Sequence, residues 1–187
     1  MYTISTAGSE PASIPRTRVM LADGSCLRIR PISPQDVRRE RAFLRRLPPH
    51  ERTFRFLGVV ASDLERAADE LTRIDPQCEV SLVGVVRDDS DEREVGVACY
   101  RTSADGRQCD CAVAIDPDWQ GLGVGTALMR RLIEVAQSRG VHRMYSADAA
   151  RCGGTHRLAE RLGFRERPDP EDPVAVTFEL VLRGQGT

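Results

Sequence analysis

From Cys109 to Ile115 the chain alternates, with Cys109, Cys111, Val113 and Ile115 on one face and Asp110, Ala112 and Ala114 on the other. That period of two is the signature of a strand, and Asp116-Pro117-Asp118 ends it. Beyond it the period becomes helical: Leu128, Leu132, Val135 and Ala136 recur on one face, and Gly140 supplies a stop, so a helix is expected from Val124 to Arg139. Between the two lies Trp119-Gln120-Gly121-Leu122-Gly123-Val124-Gly125, a glycine-rich turn joining strand to helix.

The same periodicities order the rest of the chain. Arg18 to Ile32 reads as a hairpin about Asp23-Gly24. Ser33-Pro34 opens a helix carrying Val37, Arg41, Leu44 and Leu47, and Pro48-Pro49 stops it. A short helical turn is expected from Arg52 to Gly58, and a helix from Leu64 to Ile74. Strands over Glu79 to Arg87 and Glu94 to Ser103 flank an acidic loop, Asp88 to Arg93. After the long helix come a strand near Arg143 to Ala147, a helix from Thr155 to Leu162, and strands near Phe164 to Arg167 and Val174 to Leu182. Consecutive strands before a strand-helix-strand unit predict an α/β (α+β) fold, a mixed sheet with helices on its faces.

Glycine lets the backbone turn sharply and aim successive N–H groups outward, where they join the unpaired donors and positive dipole end of the following helix. The turn is therefore an anion cradle suited to phosphate or pyrophosphate. A Walker A loop requires a Lys, and the chain has none. A dinucleotide fingerprint counted from Gly121 and Gly123 finds Thr126 at its third glycine position. The remaining pattern, Gln/Arg-x-x-Gly-x-Gly/Ala after a strand, is met by Gln120, Gly123 and Gly125.

This segment resembles the acyl-CoA pyrophosphate loop of the GNAT superfamily of N-acyltransferases. His156-Arg-Leu-Ala-Glu-Arg-Leu-Gly-Phe164 is similar to that family's second motif helix with its terminal Leu-Gly-Phe. Asp23 to Ile32 and Arg52-Thr53-Phe54-Arg55-Phe56 are similar to the GNAT domain of bacterial protein-lysine acetyltransferases. Together the matches run from about Arg18 to Leu182. The resemblance implies a mostly antiparallel central sheet flanked by helices, with central strands that splay to admit pantetheine. It implies acetyl-CoA as co-substrate and a primary amine as acceptor, a protein lysine or a small molecule. Val113, Ala114 and Ile115 would offer backbone groups to the pantetheine arm. Gln120, Gly121, Leu122, Gly123, Val124, Gly125 and Thr126 would hold the pyrophosphate.

An ammonium of pKa about 10.4 must lose its proton before attack, at a cost of roughly 4.6 kcal/mol at pH 7. Asp110, on the small-residue face of the cofactor strand where related enzymes carry a Glu, is the candidate base, and its Cys and Ala neighbours imply burial. The general acid is not identified: Ala159 stands where many members of the family have Tyr, and the commonly found Asn aligns near Cys152. Cys152, Tyr145 and His156 could donate only if they face the slot. An inactive acyl-CoA-binding sensor is the reading from another class that this departure leaves open.

Composition narrows the picture. With 187 residues and 41% hydrophobic content, one domain is expected over residues 16–187, after a flexible tail over residues 1–15 that lacks the features of a signal peptide. No stretch would span a membrane, so a cytoplasmic protein is expected. The six cysteines lack zinc-site spacing and read as reduced thiols, so no metal is expected. All 27 basic residues are Arg. Arg38, Arg39, Arg41, Arg45 and Arg46 read as a solvated helix face supported by Asp36 and Glu40. Balanced charge and few aromatics give a nucleic-acid surface little support, so no nucleic acid is expected, and a homodimer is left open.

Overall fold

The computed structural model describes residues 14–49, 64–88, 91–146, 153–168 and 176–182. Strands β1 (Thr17–Met20) and β2 (Cys26–Pro31) form the expected hairpin, with Gly24 at φ 87° in its turn. A 3-10 turn at Pro34–Asp36 leads into α1 (Val37–Arg46), and α2 is Leu64–Thr72. Strands β3 (Glu79–Asp88), β4 (Asp91–Thr102) and β5 (Gln108–Ile115) follow. Then come α3 (Val124–Ser138), β6 (Arg143–Ser146), α4 (Gly153–Arg161), β7 (Arg165–Pro168) and β8 (Val176–Val181).

The eight strands form one sheet in the order β1-β2-β3-β4-β5-β6-β8-β7. Every neighbouring pair is antiparallel except β5 with β6, which pair in parallel through the long crossover of α3. On one face, Leu128, Leu132, Val135 and Ala136 of α3 and Leu158 and Ala159 of α4 bury against Leu82, Val95, Tyr100, Cys109 and Cys111. On the other, Phe43 and Leu44 of α1, Leu47 just after it, and Ala67 and Ala68 of α2 cover Val83, Val85, Val97 and Ala114. The alternation read in β5 thus separates the two cores: Cys109 and Cys111 belong to the first and Ala114 to the second.

Two glycines set how closely α3 approaches the sheet. A Cβ on Gly96 would lie 2.8 Å from Ile115 Cδ1, 3.0 Å from Leu128 Cδ1 and 3.1 Å from Val124 Cγ1. One on Gly84 would lie 3.1 Å from Leu27 Cδ1.

The acidic loop expected from Asp88 to Arg93 is mostly strand. Register runs out to Asp88↔Asp91, so only residues 89–90 lie between β3 and β4. Charges there are paired: Glu92 pairs with Arg28 and Arg30, at 2.6 and 3.3 Å, and Arg93 reaches Asp116 at 3.1 Å. Charged side chains held by neighbouring elements do not oppose the ladder. The expected turn over Arg52 to Gly58, Cys152, Ala147, and residues 1–13 of the expected tail lie outside the described residues.

Candidate active site

Parallel pairing between β5 and β6 comprises Gln108↔Arg143, Cys109↔Met144 and Asp110↔Tyr145. Beyond that pair the strands part, and among the described residues the rest of β5 pairs only on its β4 side. The gap is apolar, lined by Cys111 and Val113 of β5, Ser146 of β6, Met129 of α3, and Leu158 and Ala159 of α4.

The peptide groups of β5 alternate between its two sides. Asp116 N–H donates to Val95 C=O at 3.0 Å, and the pairs Val97↔Ala114 and Cys99↔Ala112 continue that register. The peptide groups of Ala114 and Ala112 therefore belong to the ladder with β4, while those of Val113 and Ile115 face the gap. Of Val113, Ala114 and Ile115, the first and last present backbone groups there, and Ala114 instead packs its methyl under α1 and α2.

At the end of β5 the chain enters a 3-10 turn, Pro117–Trp119. Trp119 is partly buried against the α3-side core, and Gln120 Nε2 donates to Ile115 C=O at 3.4 Å. Gly121 and Gly123 have φ of 78° and 99°, and a Cβ on either would meet nothing within 4 Å. They are glycines for conformation. Gly125 is a glycine for space: its Cβ would lie 3.1 Å from Leu158 Cδ2, where α3 meets α4. The first helical bond of α3 here runs from Ala127 N–H to Gly123 C=O at 3.0 Å, so the N–H groups of Val124, Gly125 and Thr126 have no partner within the helix. Gln120, Gly121 and Gly123 are exposed, Leu122, Gly125 and Thr126 half-buried, and Val124 buried. Ala22 N–H donates to Leu122 C=O at 3.3 Å, so the first hairpin braces the loop.

Asp110 ends the paired part of β5, at the fork. It is exposed, contrary to the burial expected from its Cys and Ala neighbours, because its face of the sheet is covered by α1 and α2 only over the Ala114 end of the strand. Open to solvent on one side and backed by the sheet on the other, its carboxyl is held above the ordinary 3.8 by desolvation. Among the described residues no hydrogen bond or ion pair engages it, although Arg101 stands opposite on β4. The nearby carboxylates are committed: Glu79 holds Arg101 at 2.7 Å, and Glu179 holds Arg143 at 3.4 Å and Arg167 at 3.0 Å. A carboxylate with a raised pKa and no cation on it is a stronger base than one locked in an ion pair.

Ala159, where the resemblance leads one to look for Tyr, does line the gap, so no hydroxyl enters from that position. Tyr145 turns its hydroxyl toward Glu179 Oε1, at 3.5 Å. His156 sits edge-on to Phe178 with ring centroids 4.9 Å apart and pairs with Glu160 at 3.3 Å. Cys109 is buried, which pushes its thiol up to about 12, so it is inert as a nucleophile. Among the described residues no cluster of His, Cys, Asp and Glu is placed to hold a metal, and no helix is long and apolar enough to cross a membrane.

The arginines of α1 are not a free solvated face. Arg41 and Arg45 share Glu65, Arg39 bridges Asp36 and Asp91, and Arg46 reaches Asp116 at 2.6 Å. Glu40 is wholly buried, not part of an exposed face. Asp116 is the site-adjacent residue that the sequence reading treated only as the end of a strand. An Asp before a Pro-initiated turn was the available signal, and its two arginine partners come from distant elements.

Comparison with known proteins agrees with this geometry. The chain is 41% identical over 162 residues to an acetyltransferase of Pseudomonas aeruginosa, covering 87% of each chain. Its fold matches the GNAT domain of S. lividans PAT with a TM-score of 0.74 at 20% identity, over 93% of this chain and 100% of that one. It also matches a cAMP-binding acyltransferase from Mycobacterium smegmatis with a TM-score of 0.61 at 22% identity, over 91% of this chain and 48% of that one, so the present chain spans about half of that protein. The family model described as Acetyltransferase (GNAT) family matches residues 47–164, more than half of the sequence. The chain belongs to the GNAT acetyltransferase family.

Proposed function

We propose that this protein transfers an acetyl group from acetyl-CoA to a primary amine, with Asp110 as the base. The observation that carries this reading is the position of Asp110: a carboxylate with no partner among the described residues, raised in pKa, at the last paired position before β5 and β6 part. Acetyl-CoA supplies an activated acyl thioester. The donors available to it fit: the N–H groups from Gly121 to Thr126 would form an anion cradle for the pyrophosphate, while that of Gln120 is spent on Pro117 C=O at 3.4 Å, and the gap-facing peptides of Val113 and Ile115 run beside an apolar cleft for the pantetheine arm.

In this reading Asp110 accepts the ammonium proton of the acceptor, directly or through a water, since Asp is one methylene shorter than the Glu of related enzymes. The freed amine attacks the acyl carbon, the C–S bond breaks, and the thiolate leaves. A thiolate whose pKa is near that of free Cys departs at neutral pH with little help from an acid, consistent with Ala159 at the gap. One domain spanning residues 16–187 in the cytoplasm, accepting a protein lysine or a small amine, completes the proposal.

The test is a panel of amines and denatured proteins assayed for CoA release. Turnover with any of them supports the enzyme and names the acceptor class. Binding of acetyl-CoA without release of CoA for any amine supports a sensor instead.

A further inference from the structure

Asp116 lies where strand β5 gives way to the loop, and it is 1% exposed. One carboxylate oxygen takes Arg46 Nε at 2.6 Å and Arg93 Nη2 at 3.1 Å, and the other accepts Asp118 N–H at 3.2 Å. Its own C=O accepts Trp119 N–H at 2.8 Å. Burial pushes this carboxyl up, but the hydrogen bonds of Arg46 and Arg93 overcome it and hold the group below the ordinary range.

The partners are themselves fixed. Arg46, at the end of α1, spends its other donors on Ala42 C=O at 3.0 Å and Glu94 C=O at 2.7 Å. Arg93 is the third residue of β4. Capping a turn needs only a neutral oxygen, as Ser or Asn would provide. Two guanidinium groups do something further: they tie the start of the loop to one helix and one strand that are not its sequence neighbours. Charge-assisted bonds at these lengths tolerate little displacement, since any shift of the turn strands a buried charge.

We propose that Asp116 is a positioning residue for the cofactor loop, clamped by Arg46 and Arg93 so that the N–H groups from Gly121 to Thr126 stay aimed at the pyrophosphate. The proposal rests on the reading of that loop as the acetyl-CoA site. The loop is braced at three points: the clamp before it, the Ala22 to Leu122 bond at its middle, and the start of α3 behind it. Among the described residues the clamp is the brace made by charged side chains. It also links the loop to α1, the helix on the Asp110 face of the sheet.

The experiment compares Asp116→Asn and Arg46→Gln with Asp36→Asn. Asp36 is an equally buried carboxylate held by Arg30 and Arg39, but it lies at the opposite end of α1, roughly 15 Å away along the helix. Calorimetry with acetyl-CoA, well below each variant's melting temperature, gives Kd, and steady-state kinetics with acetyl-CoA varied gives KM and kcat. Asp116→Asn and Arg46→Gln are expected to raise Kd at least about tenfold, within the range that ångström-scale misplacement of binding groups produces, with the effect falling on KM for acetyl-CoA. Asp36→Asn is expected to lower the melting temperature and leave Kd unchanged. Should Asp116→Asn fail to fold, Arg46→Gln and Arg93→Gln each leave one guanidinium on the carboxylate and carry the test. Unchanged Kd in folded clamp variants, or an equal rise in Asp36→Asn, overturns the proposal. Failure of the loop reading itself is seen separately, as wild-type affinity in a folded Gly123→Glu variant.

Discussion

Among the described residues, Asp110 and Tyr145 are the last paired positions of two parallel strands, β5 and β6. Their side chains share the face of the sheet that α1 and α2 leave partly open, while the gap opens just beyond them. A base placed there stands beside the slot without blocking it. Tyr145 is engaged with Glu179, which leaves Asp110 as the ionisable group at the fork that no described residue holds.

Gly123 takes its positive φ of 99° in open surroundings, so a Cβ there meets no protein within 4 Å and projects toward the proposed pyrophosphate site. Gly123→Glu places bulk and negative charge where a pyrophosphate belongs. The expected result is loss of acetyl-CoA binding by calorimetry, with a backbone cost of about 1–2 kcal/mol for an L-residue in that conformation. A folded variant that binds normally places the cofactor elsewhere.

Gly96 predicts a packing effect transmitted to the same site. Its added Cβ would press on Ile115, Leu128 and Val124 at once, at 2.8 to 3.1 Å, and Val124 is the first residue of α3. Gly96→Ala should destabilise by about 1–3 kcal/mol, as overpacked cores do, and lower the melting temperature by roughly 2–10 °C. Affinity for acetyl-CoA should fall with it. An unchanged melting curve would show that α3 recedes freely.

Acid stability follows from Asp36 and Asp116. For each, burial raises the carboxyl and arginine hydrogen bonds more than reverse it, so the folded values lie below 3.8. A lowered folded value means stability that is full above the unfolded pKa and lost as pH falls from 3.8 through the folded values. Melting temperature should therefore be flat from neutral pH to about 5 and fall below about 4. Asp36→Asn should be less stable at pH 7 and lose less on acidification. Asp110 runs the other way: with its carboxyl raised, Asp110→Asn should not lower stability at neutral pH. Parallel acid curves for Asp36→Asn and wild type would contradict the assignment.

What the sequence made legible was local. The periods of β5 and α3 and the glycines between them were readable because each depends on neighbours within a few residues. The resemblance supplied the splayed sheet, which periodicity alone could not. Two features depended on distant pairings. Strand β4 begins at Asp91 because Glu92 and Arg93 find partners on β2 and beyond β5, so a polar run that reads as loop is ladder. Arg46 resembles its solvated neighbours on α1 until Asp116 arrives beside it from seventy positions away. The exposure of Asp110 was hidden for a related reason: its small neighbours are buried by helices that stop short of it.

The most direct test of the account is the pH dependence of acetyl transfer by Asp110→Asn, measured as CoA release with an accepted amine. The substitution keeps the shape and removes the basic oxygen. Acetyl-CoA should bind nearly as to wild type, while the rate at pH 7 falls by about a hundredfold to ten-thousandfold, the usual contribution of a general base. The wild-type acidic limb should lie above the ordinary Asp value, as the raised carboxyl requires. Raising the pH should restore part of the lost rate, because more of the acceptor amine is then already neutral. Wild-type rates in Asp110→Asn across the whole pH range would remove this carboxylate from the mechanism.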